Sequence, residues 1–342
     1  MTSPLRIGWI GCGTHAGEML LPQLTRHHVR LAALCDVSAE NLARAALRYG
    51  VAGKDCHADW RSLLARSDLD AIGLATGPAG HFEIGKAVIA RGLPLFMEKP
   101  PAATAAEAEV LASLARAKRA RVAAGFMKRY STANRIAANI IRAADFGPRA
   151  SFLGEYMTAP SYFAKDPDYS GFFLHHCIHY MDLVPHLMGA VSAVSALRHE
   201  LAPGKLLLHV RFRFASGGIG TLVMGTHQSR GTPMEWWQVM GDHKRVEVRN
   251  VHEVKFFRAP PFKTDKPDAT LDPAEDTLSW EPNLTAAANE DHKGYNAILK
   301  DFLALACGEP STAPGLDDAA AAMRLLEAVI RSADNAGREE QS

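Results

Sequence analysis

The sequence predicts an α/β protein with two parts, a doubly wound parallel sheet followed by an α+β domain with an antiparallel-rich sheet. Three observations predict it. A glycine-rich turn joins a first strand to a helix, strand and helix patterns alternate up to about residue 125, and strand follows strand without helices from residue 191 to 257. A chain of 342 residues is long enough for two domains. The expected boundaries are 1–125 for a dinucleotide-binding domain and 126–342 for a substrate and oligomerisation domain.

The first strand is Leu5-Arg6-Ile7-Gly8-Trp9-Ile10. Gly11-Cys12-Gly13-Thr14-His15-Ala16 turns the chain, and residues 17–24 read as a helix. This is Gly-x-Gly-x-x-Ala between a strand and a helix. Gly11 permits the tight turn, Gly13 lets a pyrophosphate approach the backbone, and the small Ala16 lets helix and strand pack closely. The free N–H groups of this turn, Cys12, Thr14 and His15 included, face the phosphates at the helix start. The second strand, residues 29–35, ends on Asp36, about twenty residues past the glycines, where a ribose 2′-hydroxyl ligand is expected. The alternative is an ordinary strand–turn–helix with an acidic cap. The strand context and the acid together favour the cofactor reading.

Residues 39–49 follow as an amphipathic helix stopped by Gly50. A short helix (60–65), a strand (69–76), a helix (81–90), a short strand (95–97), a helix (105–118) and a strand (122–125) complete the half. Repeats of this length imply a parallel sheet with helices on both faces. Ligands then lie beyond the carboxyl ends of the strands, where Asp36, Thr76 and Glu98-Lys99 fall.

The second half opens with a helix over 131–144 and a strand over 149–157. A loop over 158–170 carries Tyr162, Phe163 and Tyr169, and residues 172–188 read as one helix. The clean alternation at 210–214 and the Gly217-Gly218 turn mark a hairpin. Residues 259–282, rich in Pro, Asp and Thr, read as a surface excursion, and 286–306 and 315–336 as closing helices.

Composition narrows the function. A net charge of +1 gives no global basic field for nucleic acid or anionic membrane. Five cysteines without a Cys-x-x-Cys suggest free thiols in a reducing compartment. No apolar run resembles a signal peptide or a membrane span. A cytoplasmic protein is expected.

Two constellations can carry chemistry. Lys99 follows a very short buried strand, and its three donors can hold a substrate hydroxyl and stabilise negative charge on that oxygen. A solvated surface lysine is the alternative. In Leu174-His175-His176-Cys177-Ile178-His179-Tyr180-Met181-Asp182, residues 175, 179 and 182 share one face if the segment is a regular helix. A histidine near neutral pKa can take a proton from an alcohol. Core histidines are the bland alternative. Metal ligation is disfavoured, because the zinc-protease helix signature is absent and no distant Cys/His pair has ligand spacing. His81 reaches the cofactor or caps its own helix. Lys128 and Arg129 bind substrate oxygens or form structural ion pairs. Of Trp236 and Trp237, one ring belongs in the core and one on a sheet face.

These residues resemble the glucose–fructose oxidoreductase / inositol dehydrogenase / MocA family over nearly the whole chain. The resemblance rests on Ile10-Gly11-Cys12-Gly13, Asp36, Ala75-Thr76 through His81, Glu98-Lys99-Pro100 and His179-Tyr180-Met181-Asp182. It implies a Rossmann domain followed by an α/β domain with a large open sheet, which commonly mediates dimer or tetramer contacts. It implies bound NAD or NADP and a sugar, polyol or related hydroxyl or keto substrate. Lys99 would contact the reacting oxygen, its bond to Pro100 often being cis, and His179 would be the acid/base. Gly11, Gly13, Asp36, Thr76, His81 and Glu98 would line the cofactor. Lys128, Arg129, Tyr162, His176 and Asp182 are candidate substrate contacts.

His175 departs from the pattern, standing where the family has Asp. It cannot serve as an anion, so it relays a proton or touches the substrate itself. Asp36, followed by Val37 and Ser38 with no adjacent arginine, favours NAD over NADP. Reversible hydride transfer at a carbinol carbon is the expected reaction. The alternatives are an NAD-dependent glycoside hydrolase on the same scaffold and a non-catalytic NAD-sensing regulator.

Overall fold

The computed structural model describes residues 3–159, 168–229, 232, 234–258, 275–283, 285 and 291–341. The chain divides into two compact units, Met1–Met127 with Gly294–Met323, and Lys128–Lys293 with Arg324–Ser342.

The first unit holds six parallel strands: β1 (Leu5–Ile10), β2 (Val29–Cys35), β3 (Cys56–His57), β4 (Ala71–Leu74), β5 (Leu95–Met97) and β6 (Val122–Ala124). Their order is β3-β2-β1-β4-β5-β6, so the strand order reverses between β1 and β4. Apart from the edge strand β3, the strands are short and largely apolar because helices cover both faces, leaving few polar positions to alternate. The helix Ala105–Lys118 is fixed at its start by a capping box between Thr104 and Glu107, worth about 1 kcal/mol. Gly50 ends the helix Ala39–Tyr49 in the left-handed conformation that the sequence pattern implies.

One element here differs from expectation. The helix after the glycine turn is not a plain α-helix but a π-helical turn, Ala16–Leu20, running into Leu21–Leu24. Pro22 has no N–H to give to the carbonyl four residues back, and the Leu21 N–H bonds instead to the Ala16 carbonyl, five back. The helix Tyr295–Cys307 also belongs to this unit. Element order had suggested that everything past residue 125 lies in the second domain. It begins later than the expected start at 286, and residues 286–290 lie outside the described residues.

The second unit is built on nine strands: β7 (Ser151–Met157), β8 (Val191–Ala202), β9 (Lys205–Phe214), β10 (Ile219–Gly225), β11 (Glu235–Met240), β12 (Arg245–Arg249), β13 (Glu253–Phe257), β14 (Leu278–Trp280) and β15 (Glu340–Gln341). The order is β14-β13-β12-β11-β7-β10-β9-β8-β15, antiparallel except for the β7–β10 pair. Alternation along β9 puts Leu206, Leu208, Val210, Phe212 and Phe214 on the buried face. Trp237 is buried, stacks on Phe152 and donates from Nε1 to Asn134 Oδ1 at 3.2 Å. Trp236 turns to the other face and is only partly covered. Part of the expected surface excursion, residues 259–274, lies outside the described residues, and its far end forms β14.

The segment expected as one helix over 172–188 is three pieces, Ser170–Phe172, a π-helical turn Phe173–Cys177, and the α-helix Ile178–Met188 with Pro185 inside it. The Ile178 N–H reaches the Phe173 carbonyl, five residues back. The premise of a regular helix across residues 175 to 182 is therefore corrected by one wide turn. His175 lies in that turn and is exposed, whereas His179 and Asp182 are buried on the regular helix.

Candidate active site

In the first unit the glycine turn has the shape a dinucleotide requires. Gly11 sits at φ +91°, and a Cβ there would lie 2.2 Å from the Ala75 carbonyl oxygen, so no other residue fits. A Cβ on Gly13 would meet nothing within 4 Å, which leaves the space a pyrophosphate would fill. Ala16 is buried against the sheet. The Asp36 carboxylate accepts the Cys12 N–H on Oδ2 at 2.6 Å and the Ser38 N–H on Oδ1 at 2.8 Å. Backbone donors thus fix its orientation at the head of β2. Thr14 and His15 are exposed on the turn.

Cys12 is buried, and desolvation together with the Asp36 charge pushes its thiol up to about 12, so it stays protonated and inert. Helix Ala39–Tyr49 brings Arg44 and Arg48 to a hollow shared with Cys12 and Thr14. Arg48 donates to the Gly17 carbonyl at 3.0 Å, and Arg44 to Asn41 Oδ1 at 2.6 Å. No arginine adjoins Asp36 in sequence, yet the fold places two on this side of the turn.

The loops after β4 and β5 are tied together by His81. Its Nε2 accepts the Thr76 N–H at 2.9 Å, so the other nitrogen carries the proton and donates to the Pro100 carbonyl at 2.6 Å. His81, with 1% of its surface exposed, ties the two loops together from within. The Lys99–Pro100 peptide is cis, as the resemblance implies.

Glu98 is 4% exposed. Its Oε2 accepts the Lys99 N–H at 3.1 Å, and Oε1 lies 3.6 Å from His15 Nε2. Burial alone would raise its pKa, but His15, Lys99 and His81 outweigh it and hold the carboxyl below its usual range. Glu98 is therefore an internal anion bridging the glycine turn and the lysine loop. A Cβ on Gly125 would press within 2.7 Å of its Oε1. His15 also meets the edge of Tyr295, a neighbour that sequence spacing did not indicate.

In the second unit the 3₁₀ turn Met127–Tyr130 supplies two cations. The Lys128 ammonium pairs with Glu235 Oε2, and the Tyr180 hydroxyl donates to the same oxygen at 2.5 Å. The ammonium also lies 5.6 Å from the Tyr156 ring centroid and 5.2 Å from that of Tyr180. Burial and the Glu235 charge hold the Tyr180 phenol well above its ordinary pKa, so it remains a donor. Arg129 grips Asp182 with two bonds, Nε to Oδ2 at 2.8 Å and a terminal nitrogen to Oδ1 at 2.5 Å. Both cations thus take up the ion-pair alternative. His176 is half-buried with Nδ1 2.6 Å from the Tyr156 hydroxyl. Tyr162 lies outside the described residues. Among the described residues no cluster of His, Cys, Asp and Glu has the arrangement of a metal site.

Sequence reading missed Glu235, Tyr156 and Tyr180. One signal was present. Glu235 shares its strand face with Trp237 and Val239, and an acid at an inward position of an apolar strand needs a buried partner.

A family model described as "Oxidoreductase family, NAD-binding Rossmann fold" matches residues 5–126, and its companion, "Oxidoreductase family, C-terminal alpha/beta domain", matches residues 154–338. The chain belongs to the Gfo/Idh/MocA oxidoreductase family. Its first domain is the family's NAD-binding Rossmann domain, and the glycine turn and Asp36 described above fit that cofactor. A glycosyl hydrolase family 109 protein from Streptomyces niveus is 36% identical over 108 residues, which is 29% of this chain and 22% of that protein. An inositol 2-dehydrogenase from Burkholderia lata is 31% identical over 147 residues, 42% of this chain and 43% of that one. The chain therefore aligns with less than half the length of these curated relatives. Among solved structures, a levoglucosan dehydrogenase in complex with NADH and levoglucosan superposes with a TM-score of 0.81 at 20% identity, covering 99% of both chains. That likeness shows that the chain shares the fold of that structure.

Proposed function

We propose that this Gfo/Idh/MocA protein is an NAD-dependent dehydrogenase acting on a CH–OH carbon of a sugar or polyol. One observation carries the reading. Asp36 follows β2 and Lys99 follows β5, at the carboxyl ends of one parallel sheet and on opposite sides of the β1/β4 reversal. A dinucleotide across that reversal has its adenosine ribose at Asp36 and its nicotinamide toward Lys99. NAD, when bound, supplies the hydride acceptor.

The residues of the chain do the rest. Lys99 holds the substrate oxygen and stabilises its developing negative charge. His179 takes the hydroxyl proton during oxidation and returns it in the reverse direction. Glu98 and His81 position the loop bearing Lys99. His175, exposed in its wide turn, exchanges protons with solvent. Asp36 favours NAD over NADP, since a 2′-phosphate would meet its charge at close range.

A screen of sugars, polyols and keto-sugars, following the absorbance of reduced nicotinamide, tests the reading. Turnover that vanishes in Lys99→Ala and His179→Ala, while NADH binding persists, supports it. The match to a glycosyl hydrolase favours a second reading, in which a glycosidic bond is cleaved and sugar product appears without net accumulation of NADH.

The same reading extends to assembly. Cross-strand register places Leu153, Ile219, Met240 and Leu197 on the sheet face that also carries Trp236, and all four are exposed. That face fits a second copy of the chain, giving a dimer or tetramer in the cytoplasm. Light scattering on Leu153→Glu, with the wild type as reference, tests it. Among the described residues no helix is long and apolar enough to cross a membrane.

A further inference from the structure

In the first unit the glycine turn and the lysine loop share a buried anion with an orphaned oxygen. Glu98 is 4% exposed, and among the described residues nothing donates a hydrogen bond to its Oε1. Facing that oxygen is the His15 imidazole, whose Nε2 stands 3.6 Å away, just beyond hydrogen-bond reach. The surroundings are shaped to this carboxylate, since a Cβ on Gly125 would press within 2.7 Å of Oε1. His15 stands two residues past Gly13, where a Cβ would meet nothing within 4 Å, and its side chain is 46% exposed. A ring contact with Tyr295, 5.6 Å between centroids, seats the imidazole against the helix Tyr295–Cys307 of the same unit.

An anion at this place conflicts with a dinucleotide. The pyrophosphate of such a ligand is itself negative and belongs on the same turn. A buried carboxylate beside it repels it with little screening by water. His15 resolves the conflict in one of its two forms. A neutral imidazole has a single N–H and serves one acceptor, whereas the imidazolium has two and serves the carboxylate and a phosphate oxygen together. Two anions beside one imidazole also favour its charged form. The other charged and titratable groups here act elsewhere. Lys99 and His81 act on Glu98, from the lysine loop and the helix Pro78–Arg91. Tyr295 presents its ring to His15, and Glu18, three residues further along the turn, lines the hollow shared with Arg44 and Arg48.

Resting on the NAD-dependent reading above, we propose that the His15 side chain, backed by Glu98, is a proton-dependent ligand of the cofactor's pyrophosphate. As the imidazolium it donates Nε2–H to the orphaned Oε1 of Glu98 and its second N–H to a phosphate oxygen. The proton comes from solvent when the dinucleotide binds and returns to solvent when it leaves. Since the bound state holds more protons than the free one, affinity falls as pH rises.

The test is calorimetric titration with NADH, with no substrate and no turnover, in buffers of different ionisation enthalpy. The dependence of the binding enthalpy on the buffer counts the protons taken up. The wild type is expected to take up about half a proton or more near pH 7.5, and to lose about tenfold in affinity between pH 6.5 and 8.5. His15→Gln keeps an N–H donor but cannot take up the proton. It should bind with no uptake, and about tenfold more weakly than the wild type at pH 6.5. His15→Lys carries its charge throughout this range, and should bind with no uptake and an affinity nearly independent of pH. His15 is exposed, and thermal melting confirms that each variant is folded. A wild type whose binding enthalpy is the same in every buffer, or a folded His15→Gln with the uptake of the wild type, overturns the proposal. NADH still binds in those cases, so the dehydrogenase reading stands. Failure of the wild type to bind NADH at any pH overturns both.

Discussion

Arg129 and Asp182 form a two-bond ion pair inside the second unit, with the Asp182 side chain only 1% exposed. The pair fixes the 3₁₀ turn after the last Rossmann strand to the helix that bears His179. Removing one partner leaves the other charge buried, which typically costs about 3–5 kcal/mol. Asp182→Ala should therefore lower the urea midpoint sharply. Arg129→Met/Asp182→Leu, which removes both charges, should recover most of the loss. A double-variant coupling energy near zero would contradict the pairing.

Gly11 and Gly13 should separate stability from binding. Gly11→Ala forces a left-handed φ and a clash with the Ala75 carbonyl, so it should destabilise the fold by about 2 kcal/mol or more. Gly13→Val adds a side chain to open space. Its melting temperature should stay near that of the wild type while NADH binding, measured by nicotinamide fluorescence, is lost.

Glu98 gives stability a defined pH dependence. Its carboxyl is held below the ordinary value of 4.5, so the folded state binds the proton less readily than the unfolded chain. The contribution is present above the ordinary value and is lost as pH falls through the lower, folded one. Denaturation midpoints of the wild type should therefore fall more steeply than those of Glu98→Gln as pH drops below about 4.5. Parallel pH curves would contradict this.

Asp36 should set cofactor preference. In calorimetric titration the wild type should bind NADH more tightly than NADPH. Asp36→Ser should narrow that gap by about tenfold or more, helped by Arg44 and Arg48 on the same side of the turn. Tighter NADPH binding by the wild type would refute the preference.

The sequence made the first unit legible because its signals are local. A glycine turn, an acid after the second strand and short apolar runs ending at Asp36, Thr76 and Glu98 each carry their own meaning. The place of His81 was not legible, since its two bonds join loops distant in sequence. Nor were the π turns. Pro22 explains one in hindsight, while nothing in the sequence of Phe173–Cys177 explains the other. Lys128 and Arg129 could be singled out as cations, but their partners lie on strand and helix positions that only the folded sheet brings together. Glu235 was missed, since its alternation with Trp237 and Val239 acquires meaning only with Lys128 and Tyr180 beside it.

The central proposal is that Lys99 and His179 are each required when NAD takes a hydride from a hydroxyl-bearing carbon. The most direct test is the rate of NAD reduction on a substrate found by the sugar and polyol screen, in the wild type, Lys99→Ala and His179→Ala, each shown to bind NADH. The account predicts reduction by the wild type and a fall of about 10²–10⁴-fold in each variant. Variants that bind NADH and reduce NAD at the wild-type rate would contradict it.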